Sequence, residues 1–363
     1  MSGHTATRSR RRSRAVTDLK RVDIASLGPA DLAECVHELG QPAYRTKQLV
    51  SWLYGRLVSS FDEMTDLPAG LRSMLAERWT LQLPVALDVQ RSTDGTRKYL
   101  WRLADGAMVE SVGIPADDRL TVCFSTQAGC AMGCTFCATG RGGFVRDLHP
   151  GELAWQVALV GRDFGTRVSN AVAMGQGEPF NNYDATLSGL RLMNHPAVQG
   201  IGARHLTVST CGVVPGIERF AREPEQFTLA VSLHSAVQGT RDRIMPGVRR
   251  WPLTRLREVL IDYTDFTGRR PTLEYAVIEG TNDTPAEVAA LASFARGWMS
   301  HVNLIPVNPV DGTNAVRPTH SRMHEVAAAL RAAGVETSIR TERGADIAAA
   351  CGQLTQKHRP SSA

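Results

Sequence analysis

The stretch Gly129-Cys130-Ala131-Met132-Gly133-Cys134-Thr135-Phe136-Cys137-Ala138-Thr139-Gly140-Arg141-Gly142-Gly143-Phe144 places three cysteines within eight positions, spaced C-x3-C-x2-C. Small residues between the cysteines let the backbone wrap tightly, and thiolates at this spacing are typical of a metal site. Zinc would need a fourth cysteine or histidine at similar spacing, and His149 lies well beyond Cys137. A four-iron, four-sulfur cluster held by three thiolates keeps one iron open to a small molecule. The array therefore predicts a [4Fe-4S] cluster on Cys130, Cys134 and Cys137, and a structural zinc or three unrelated buried thiols are the alternatives.

The composition indicates a soluble globular protein of 363 residues, with 43% hydrophobic and 21% charged residues. No run approaches the roughly 20 apolar residues of a membrane span, and the N-terminus lacks the apolar region of a signal peptide. We therefore expect a cytoplasmic protein without membrane association. Seven cysteines, an odd number, favour metal or redox chemistry over a disulfide framework in this setting.

The net charge of +5 belongs to the N-terminal tail. Residues 1–20 hold six basic residues against Asp18, and this excess equals the net charge of the whole chain. The tail is predicted to be disordered, and it either adds nonspecific attraction to phosphates or has no role. Because residues 21–363 are formally neutral, a specific RNA site must come from local patches in the body of the protein.

Residues 21–84 show a helical pattern and are predicted to form a small accessory domain. A first helix carries apolar residues at helical spacing and ends near Gly40, and further helices are predicted over Tyr44–Leu57 and Ala69–Trp79. The second helix carries the basic residues Arg45, Lys47 and Arg56 alongside the apolar Leu49, Trp52 and Leu53. The domain is either an RNA-contacting module or a packing domain whose aromatic residues form its core.

Two regions of β structure follow the accessory domain. Residues 85–117 alternate apolar and polar residues around Asp94-Gly95 and Asp105-Gly106, which predicts a short β meander. Residues 118–341 alternate strands with helices, which predicts an α/β fold with a partial (β/α)6 barrel and its chemistry at the carboxyl ends of the strands. The predicted barrel strands are Leu120–Ser125, Asn170–Met174, His205–Thr210, Phe227–Leu233, Thr272–Ile278 and Val302–Val307.

Polar residues follow four of these strands. Gly177 and Glu178 come after the second strand, where glycine allows a close backbone approach and the carboxylate can accept from an amine. Ser209 ends the third strand, Ser232-Leu233-His234 the fourth, and Asn308 follows the sixth, where its amide could pair with an adenine edge. Taken singly, each of these residues is more typical of a turn or a helix cap.

The ordered motifs resemble the RlmN/Cfr family of radical S-adenosylmethionine (SAM) methyltransferases, over about residues 40–354. They are the cysteine array followed by Ala-Thr-Gly, Gly-Gln-Gly-Glu-Pro, Ser-Thr-Cys-Gly-Val-Val-Pro, Ser-Leu-His, Asn-Leu-Ile-Pro-Val-Asn-Pro and Ala-Ala-Cys-Gly-Gln-Leu. The resemblance implies that SAM chelates the open iron of the cluster. It also implies that the SAM-binding residues are Gly177, Glu178, Ser209, Ser232, Leu233, His234 and Asn308.

The resemblance further implies methylation of an adenine in 23S ribosomal RNA, with transfer RNA as a second substrate in some members. The Thr272–Tyr275 and Phe144–Leu148 segments are nearer to the RlmN branch, which makes 2-methyladenosine, than to the Cfr branch, which makes 8-methyladenosine and confers antibiotic resistance. Ala138, the Gly142-Gly143 pair and Gln176 depart from the usual RlmN pattern. A nonenzymatic iron–sulfur protein that binds RNA or assists ribosome assembly is the alternative from another functional class.

Adenine C2 has no nucleophilic lone pair, so transfer of a methyl cation should fail and a radical route is required. The resemblance implies two SAM molecules, one of which methylates Cys351 in the C-terminal segment 342–363. A radical made from the second SAM then takes hydrogen from that methyl group, and the resulting carbon adds to adenine. Glu110 matches the proton acceptor and Cys123 the thiol that resolves the crosslink by forming a disulfide with Cys351.

The remaining expectations concern residues and partners outside this scheme. Cys35 and Cys211 are predicted to be packing residues. Five arginines near the predicted catalytic mouth are either phosphate contacts or solvated surface charges; they are Arg141, Arg146, Arg322, Arg340 and Arg343. A flavodoxin-type electron donor and a monomeric enzyme are expected.

Overall fold

The structure is a computed structural model that describes residues 21–354. The arginine-rich tail of residues 1–20, predicted to be disordered, lies outside the described residues. The last part of the predicted C-terminal segment, residues 355–363, lies outside them as well.

Three helices form the accessory domain, and they are α1 (Pro29–Glu38), α2 (Tyr44–Val50) and α3 (Ala69–Arg78). Helix α2 continues into a π-helical turn over Ser51–Arg56, so the predicted second helix is present with a change of winding. Trp52 and Tyr54 on this turn are buried, and the Trp52 indole donates to the Asp66 carboxylate at 2.6 Å. These aromatic side chains therefore belong to the core of the domain, as the packing interpretation expected.

Ten strands form one sheet, and two more form a separate hairpin. The strands are β1 (Val85–Arg91), β2 (Arg97–Arg102), β3 (Met108–Ala116), β4 (Arg119–Cys123), β5 (Gln127–Gly129), β6 (Phe144–Asp147), β7 (Asn170–Ala173), β8 (Leu206–Thr210), β9 (Thr228–Ser232), β10 (Thr272–Val277), β11 (His301–Pro306) and β12 (Thr337–Ile339). The sheet order is β1-β2-β3-β4-β7-β8-β9-β10-β11-β12, with antiparallel pairing up to β4 and parallel pairing from β4 onward. The predicted α/β class and the six predicted barrel strands are confirmed, and the meander strands extend the same sheet.

Eight helices follow the accessory domain in the described residues: α4 (Ala138–Gly142), α5 (Pro150–Phe164), α6 (Tyr183–Asn194), α7 (Val214–Phe220), α8 (Gln238–Ile244), α9 (Leu253–Thr267), α10 (Pro285–Ala295) and α11 (His320–Ala332). The apolar stripe of α5 is buried against the sheet and α6, as its helical spacing requires. Within residues 21–354, no helix combines the length and the apolar character needed to cross a membrane.

The accessory domain packs onto the first turn of α5. The Ser26 hydroxyl accepts from the Gly151 backbone N–H at 3.1 Å, and the Tyr54 hydroxyl donates to the Leu27 carbonyl. A β-carbon at Gly151 would lie 2.8 Å from the Ala25 carbonyl carbon, so this close approach requires glycine. The contact fixes the accessory domain beside the helix that follows the cysteine array.

Candidate active site

The three cysteines of the array line one cavity next to residues from the carboxyl ends of the parallel strands. The cavity holds about 1030 Å³ of space free of protein atoms, including the part open to solvent. Cys130 and Cys134 are buried, and Cys137 is partly exposed. The predicted grouping of the three thiols at this edge of the sheet is therefore what the structure contains.

The β5–β6 hairpin closes the loop that carries the cysteines. The Cys130 N–H donates to the Gly143 carbonyl at 2.9 Å, and a β-carbon at Gly129 would lie 2.0 Å from the same oxygen. The end of α8 and the residues after it hold the loop from its outer side, because the Thr135 N–H donates to the Ile244 carbonyl and the Met132 carbonyl accepts from the Gly247 N–H. The glycines of the array thus serve close backbone contacts.

The donor set of this cavity fits an iron–sulfur cluster. Three thiols share the cavity with no histidine or carboxylate in the array itself, and thiolates are the ligands that such clusters take. Nowhere in residues 21–354 do three cysteine, histidine or acidic side chains converge as a single bound metal ion would require. The fit therefore rests on three thiols facing one shared space, with further room beside them for a cosubstrate.

Glu178, Ser209 and Ser232, three of the residues predicted to bind SAM, line the same cavity. The Glu178 carboxylate accepts from the backbone N–H groups of Phe180 at 2.9 Å and Cys211 at 2.6 Å. Burial raises the pKa of Glu178. Gly177 also lines the cavity, at a φ of +103°, and a β-carbon there would lie 2.8 Å from the Gln127 nitrogen. These contacts hold one carboxylate and two hydroxyl groups around the space beside the thiols.

His234 lines the cavity, whereas the side chain of Leu233 is fully buried and does not line it. The His234 Nδ1 accepts from the Ala276 backbone N–H at 2.9 Å. Burial and the nearby Arg241 cation lower the pKa of His234 to about 3, so the ring is neutral. Leu233 contributes its backbone, because its N–H donates to the Glu274 carbonyl at 3.0 Å. Of this pair, only the imidazole is placed to contact a ligand in the cavity.

Asn308 holds the C-terminal segment. Its amide nitrogen donates to the Cys351 carbonyl at 3.1 Å, and its amide oxygen accepts from Arg317 at 2.9 Å. Asn308 lines the cavity, but its amide is used by the protein itself in this arrangement. A ligand that pairs with Asn308 must therefore compete with the segment that carries Cys351.

Cys351 lines two neighbouring cavities. One is the cavity of the array thiols, and the other, of about 870 Å³, is also lined by Cys123. The segment around Cys351 lies against the array, because the Gly352 carbonyl accepts from Ala138 at 2.8 Å and the Leu354 carbonyl from Thr139 at 2.8 Å. Burial, and next the neighbouring Cys351, raise the pKa of Cys123 to about 12. The two thiols predicted to form a disulfide are thus brought together.

Glu110 is buried on β3 and lines neither cavity. Its carboxylate lies 3.8 Å from the Lys98 ammonium, which also donates to the Ala348 carbonyl at 3.2 Å. Val112 on the same strand packs with Cys123 and Ala349. Because alternate residues of a strand share a face, Glu110 lies on the same face as Val112. The structure therefore places Glu110 on the side of the sheet that faces the C-terminal segment.

The five arginines predicted near the mouth fall into three groups. Arg146 pairs with Asp105 at 2.6 Å and Glu152 at 2.8 Å, and Arg322 pairs with Asp283 and Glu325, so these two have structural roles. Arg141 donates to the carbonyls of Asp311 and Gly312. Arg340 lines both cavities and Arg343 lines the second, which leaves these two placed to meet a ligand.

Two residues of the site were not predicted from the sequence to belong to it. Cys211, predicted to be a packing residue, lines the cavity, and a hydrogen bond between its thiol and that of Cys134 lowers the pKa of Cys134. Arg241 on α8 is fully buried and donates to the carbonyls of Cys211 at 2.7 Å and Leu233 at 3.2 Å. The position of Cys211 at a strand end was a usable signal, whereas nothing in the pattern of α8 marked Arg241 as buried.

Both the sequence and the fold of this chain have clear counterparts among known proteins. The family model described as the ribosomal RNA large subunit methyltransferase N-terminal domain matches residues 22–81, and that of the radical SAM superfamily matches residues 124–292. A probable dual-specificity RNA methyltransferase RlmN from Heliobacterium modesticaldum is 46% identical, over 92% of this chain and 89% of the relative. One from Desulfitobacterium hafniense is 44% identical, over 93% and 98%. The crystal structure of a radical SAM methyltransferase from Sphaerobacter thermophilus superimposes with a TM-score of 0.88 at 42% identity, covering 93% of this chain and all of that chain.

Proposed function

Because the chain belongs to the RlmN family of radical SAM RNA methyltransferases, which use a [4Fe-4S] cluster and SAM, we propose that it methylates C2 of an adenine in 23S ribosomal RNA. The words "dual-specificity" in the names of its relatives support a second RNA substrate, for which we propose transfer RNA. The proposal includes a monomeric cytoplasmic enzyme with a flavodoxin-type electron donor.

One observation carries this proposal: Cys351 lines both the cavity of the array thiols and the cavity of Cys123. A protein that only bound RNA through a cluster would need neither of these extra thiols beside it. A methyl carrier, by contrast, must meet SAM on one side and a resolving thiol on the other. The position of Cys351 satisfies both requirements and disfavours the nonenzymatic alternative.

The positions of the residues support the proposed roles. Cys130, Cys134 and Cys137 would hold the cluster, and Glu178, Ser209, Ser232 and His234 would contact SAM. When bound, the cluster supplies the electron that cleaves SAM to a carbon radical able to abstract hydrogen. The Cys351 thiolate takes a methyl group from a first SAM, which leaves as S-adenosylhomocysteine. Hydrogen abstraction from that methyl group then leaves a carbon radical on Cys351, which adds to adenine C2.

Two residues complete the proposed cycle. The adduct must then lose one electron, for which the cluster held by Cys130, Cys134 and Cys137 would be the acceptor. Loss of the C2 proton to Glu110 restores the aromatic ring, which leaves adenine joined to Cys351 as a thioether. The Cys123 thiolate then attacks the Cys351 sulfur, forming a disulfide and breaking the bond between sulfur and the methylene carbon. That carbon takes up a proton to become the methyl group, and an external thiol reduces the disulfide for the next turnover.

Nucleoside mass spectrometry tests the proposal directly. Reconstituted enzyme is incubated anaerobically with 23S ribosomal RNA, SAM and a reductant, and a Cys351→Ala variant serves as the control. We expect 2-methyladenosine from the native enzyme and none from the variant. The product 8-methyladenosine would assign the Cfr-like reaction, and methylation by Cys351→Ala would overturn the proposed carrier.

A further inference from the structure

Arginines are concentrated in the segment that supports the cysteine loop from outside. Residues 241–257 contain six arginines and a single acidic residue, Asp242, although residues 21–363 are formally neutral. Arg243, Arg249 and Arg250 are exposed, and we call these three the arginine patch. Such a local excess of one charge is a field that attracts a partner of the opposite sign.

The guanidinium groups of the arginine patch are not used in ion pairs with the described residues. Arg243 donates to the Thr240 hydroxyl at 3.4 Å, Arg249 donates to the Asp242 carbonyl at 3.0 Å, and Arg250 stacks on the Trp251 ring at 4.0 Å. The Asp242 carboxylate accepts from Gln238 at 2.7 Å. The positive charge of the patch is therefore available to a partner.

The patch lies directly behind the cluster ligands. Its segment bonds to the backbone at Met132 and Thr135, two residues that lie between the cysteines. Met245 and Val248 are buried in one hydrophobic cluster with Cys130 and Cys134, and Trp251 packs against it. Ala131 and Thr135 of the cysteine loop are themselves exposed. A protein bound here would contact Ala131 and Thr135, which directly follow the predicted cluster ligands Cys130 and Cys134 in the sequence.

We infer that the arginine patch, with the exposed outer side of the cysteine loop, is the docking surface for an acidic one-electron carrier protein. The inference rests on the radical SAM chemistry of the family, which requires one electron for each cleavage of SAM. The reduced carrier gives up one electron, the cluster accepts it, and the oxidised carrier leaves.

The position of the patch favours a carrier protein over RNA. Residues 243, 249 and 250 line neither cavity, whereas RNA must reach Cys351, which lines both. An electron carrier needs only a short distance to the cluster and can dock behind it while RNA occupies the catalytic mouth. Charge complementarity then serves mainly to accelerate association, and its effect weakens with salt.

The test measures reduction of the cluster without RNA or methyl transfer. Native enzyme and the triple variant Arg243→Glu, Arg249→Glu, Arg250→Glu are mixed anaerobically with reduced flavodoxin, an acidic flavoprotein, and bleaching of the cluster is followed by stopped flow. We expect the variant to be reduced at least about tenfold more slowly at low salt, and the native rate to fall as salt rises. Reduction by photoreduced 5-deazariboflavin, which is uncharged, should be the same in both proteins.

Two matched variants complete the design. Replacement of the same three arginines by lysine keeps the charge and should keep most of the rate. The triple variant Arg119→Glu, Arg222→Glu, Arg296→Glu makes the same change of charge at exposed residues. These residues precede or begin barrel strands, whereas the cysteine cavity lies at the carboxyl ends of the strands. The cluster of this variant should be reduced at the native rate.

Three results with the variant Arg243→Glu, Arg249→Glu, Arg250→Glu would overturn the inference. They are reduction of its cluster by flavodoxin at the native rate, an equal loss of rate when deazariboflavin is the reductant, and a loss of RNA affinity while reduction by flavodoxin is intact. The last result would make the patch an RNA contact. Failure of adenine methylation with normal reduction would instead count against the proposed function.

Discussion

Cys123 and Cys351, separated by more than half of the chain, line the same cavity, and Cys351 is the one cysteine that lines both this cavity and the cavity of Cys130, Cys134 and Cys137. The pairing of β3 with β4 fixes Cys123 opposite Val112, and Val112 packs against Ala349 near Cys351. The sheet thus holds one thiol while the C-terminal segment brings the other to it. A carrier thiol between two cavities can exchange partners without a large movement of the fold.

The position of Cys123 beside Cys351 predicts the effect of removing the Cys123 thiol. With Cys123→Ala, the adduct between Cys351 and RNA should form but lack its resolving thiol, so a covalent protein–RNA species should accumulate and free methylated RNA should fall by about 100-fold or more. A denaturing gel with labelled RNA measures this species. Cys35→Ala, which changes a half-buried cysteine in the accessory domain, is the matched control and should turn over normally. Turnover by Cys123→Ala without any crosslink would contradict the role proposed for this thiol.

The position of Glu110 predicts a different defect. Glu110→Gln keeps the size of the buried side chain but cannot accept a proton, so methylation should fall by about 100-fold or more while cleavage of SAM continues. Release of 5′-deoxyadenosine, measured by chromatography beside the methylated nucleoside, separates the two steps. Glu77→Gln changes an exposed carboxylate on α3 and should leave both products unchanged. Parallel loss of both products in Glu110→Gln would point to a structural role through Lys98 instead.

The sequence predicted the parallel strands closely because short strand-like segments alternate regularly with helical ones over residues 118–341, and it predicted the array because the spacing of the cysteines is explicit. It did not predict the β5–β6 hairpin, since Gln127–Gly129 and Phe144–Asp147 are too short to show alternation and pair across the cysteine loop. Strand β12 was missed for the same reason. Whether an arginine is exposed, paired or buried depends on residues distant in sequence, as the contacts of Arg146 with Asp105 and of Arg241 with Cys211 illustrate.

Arg241 should stabilise the site through both its hydrogen bonds and its charge. One of its terminal nitrogens, Nη1, is buried without a hydrogen-bond partner in the described part of the chain, and its charge acts on Cys134 and Cys211. Arg241→Met should lower the midpoint potential of the bound cluster, because reduction adds negative charge where a cation has been removed. It should also destabilise the fold by about 2 kcal/mol or more, since the carbonyls of Cys211 and Leu233 lose their donor.

Arg241→Lys separates charge from hydrogen bonding. Lysine keeps the cation but cannot donate to both carbonyls in the geometry of a guanidinium. The potential should therefore stay near the native value while stability falls. The measurements are a potentiometric titration followed by electron paramagnetic resonance, the iron and sulfide content, and urea unfolding. Equal potentials in the native, methionine and lysine proteins would show that the charge of Arg241 does not act on the cluster.

Asp23, at the contact between the accessory domain and α5, should make stability depend on pH. Burial, with a smaller contribution from Glu152, raises the pKa of Asp23 to about 7, although its backbone hydrogen bond from Ala25 opposes the shift. An unfolded aspartate has a pKa of about 3.9. Between about pH 4 and pH 7 the folded protein therefore keeps a proton that the unfolded chain has released. The contribution of this proton to the free energy of unfolding is complete below about pH 4 and is lost as the pH rises through 7.

Asp23→Asn should remove this dependence, because the amide oxygen can still accept from Ala25 and carries no charge. A rise in pKa from about 3.9 to about 7 would correspond to about 4 kcal/mol for a fully buried group. Since Asp23 is partly exposed, we expect the variant to gain about 1–2 kcal/mol over the native protein at pH 8 and clearly less at pH 5. Urea unfolding at both pH values measures the difference, with the exposed Asp262→Asn as the control. An identical gain at pH 5 and pH 8 would mean that the ionisation of Asp23 does not govern this contact.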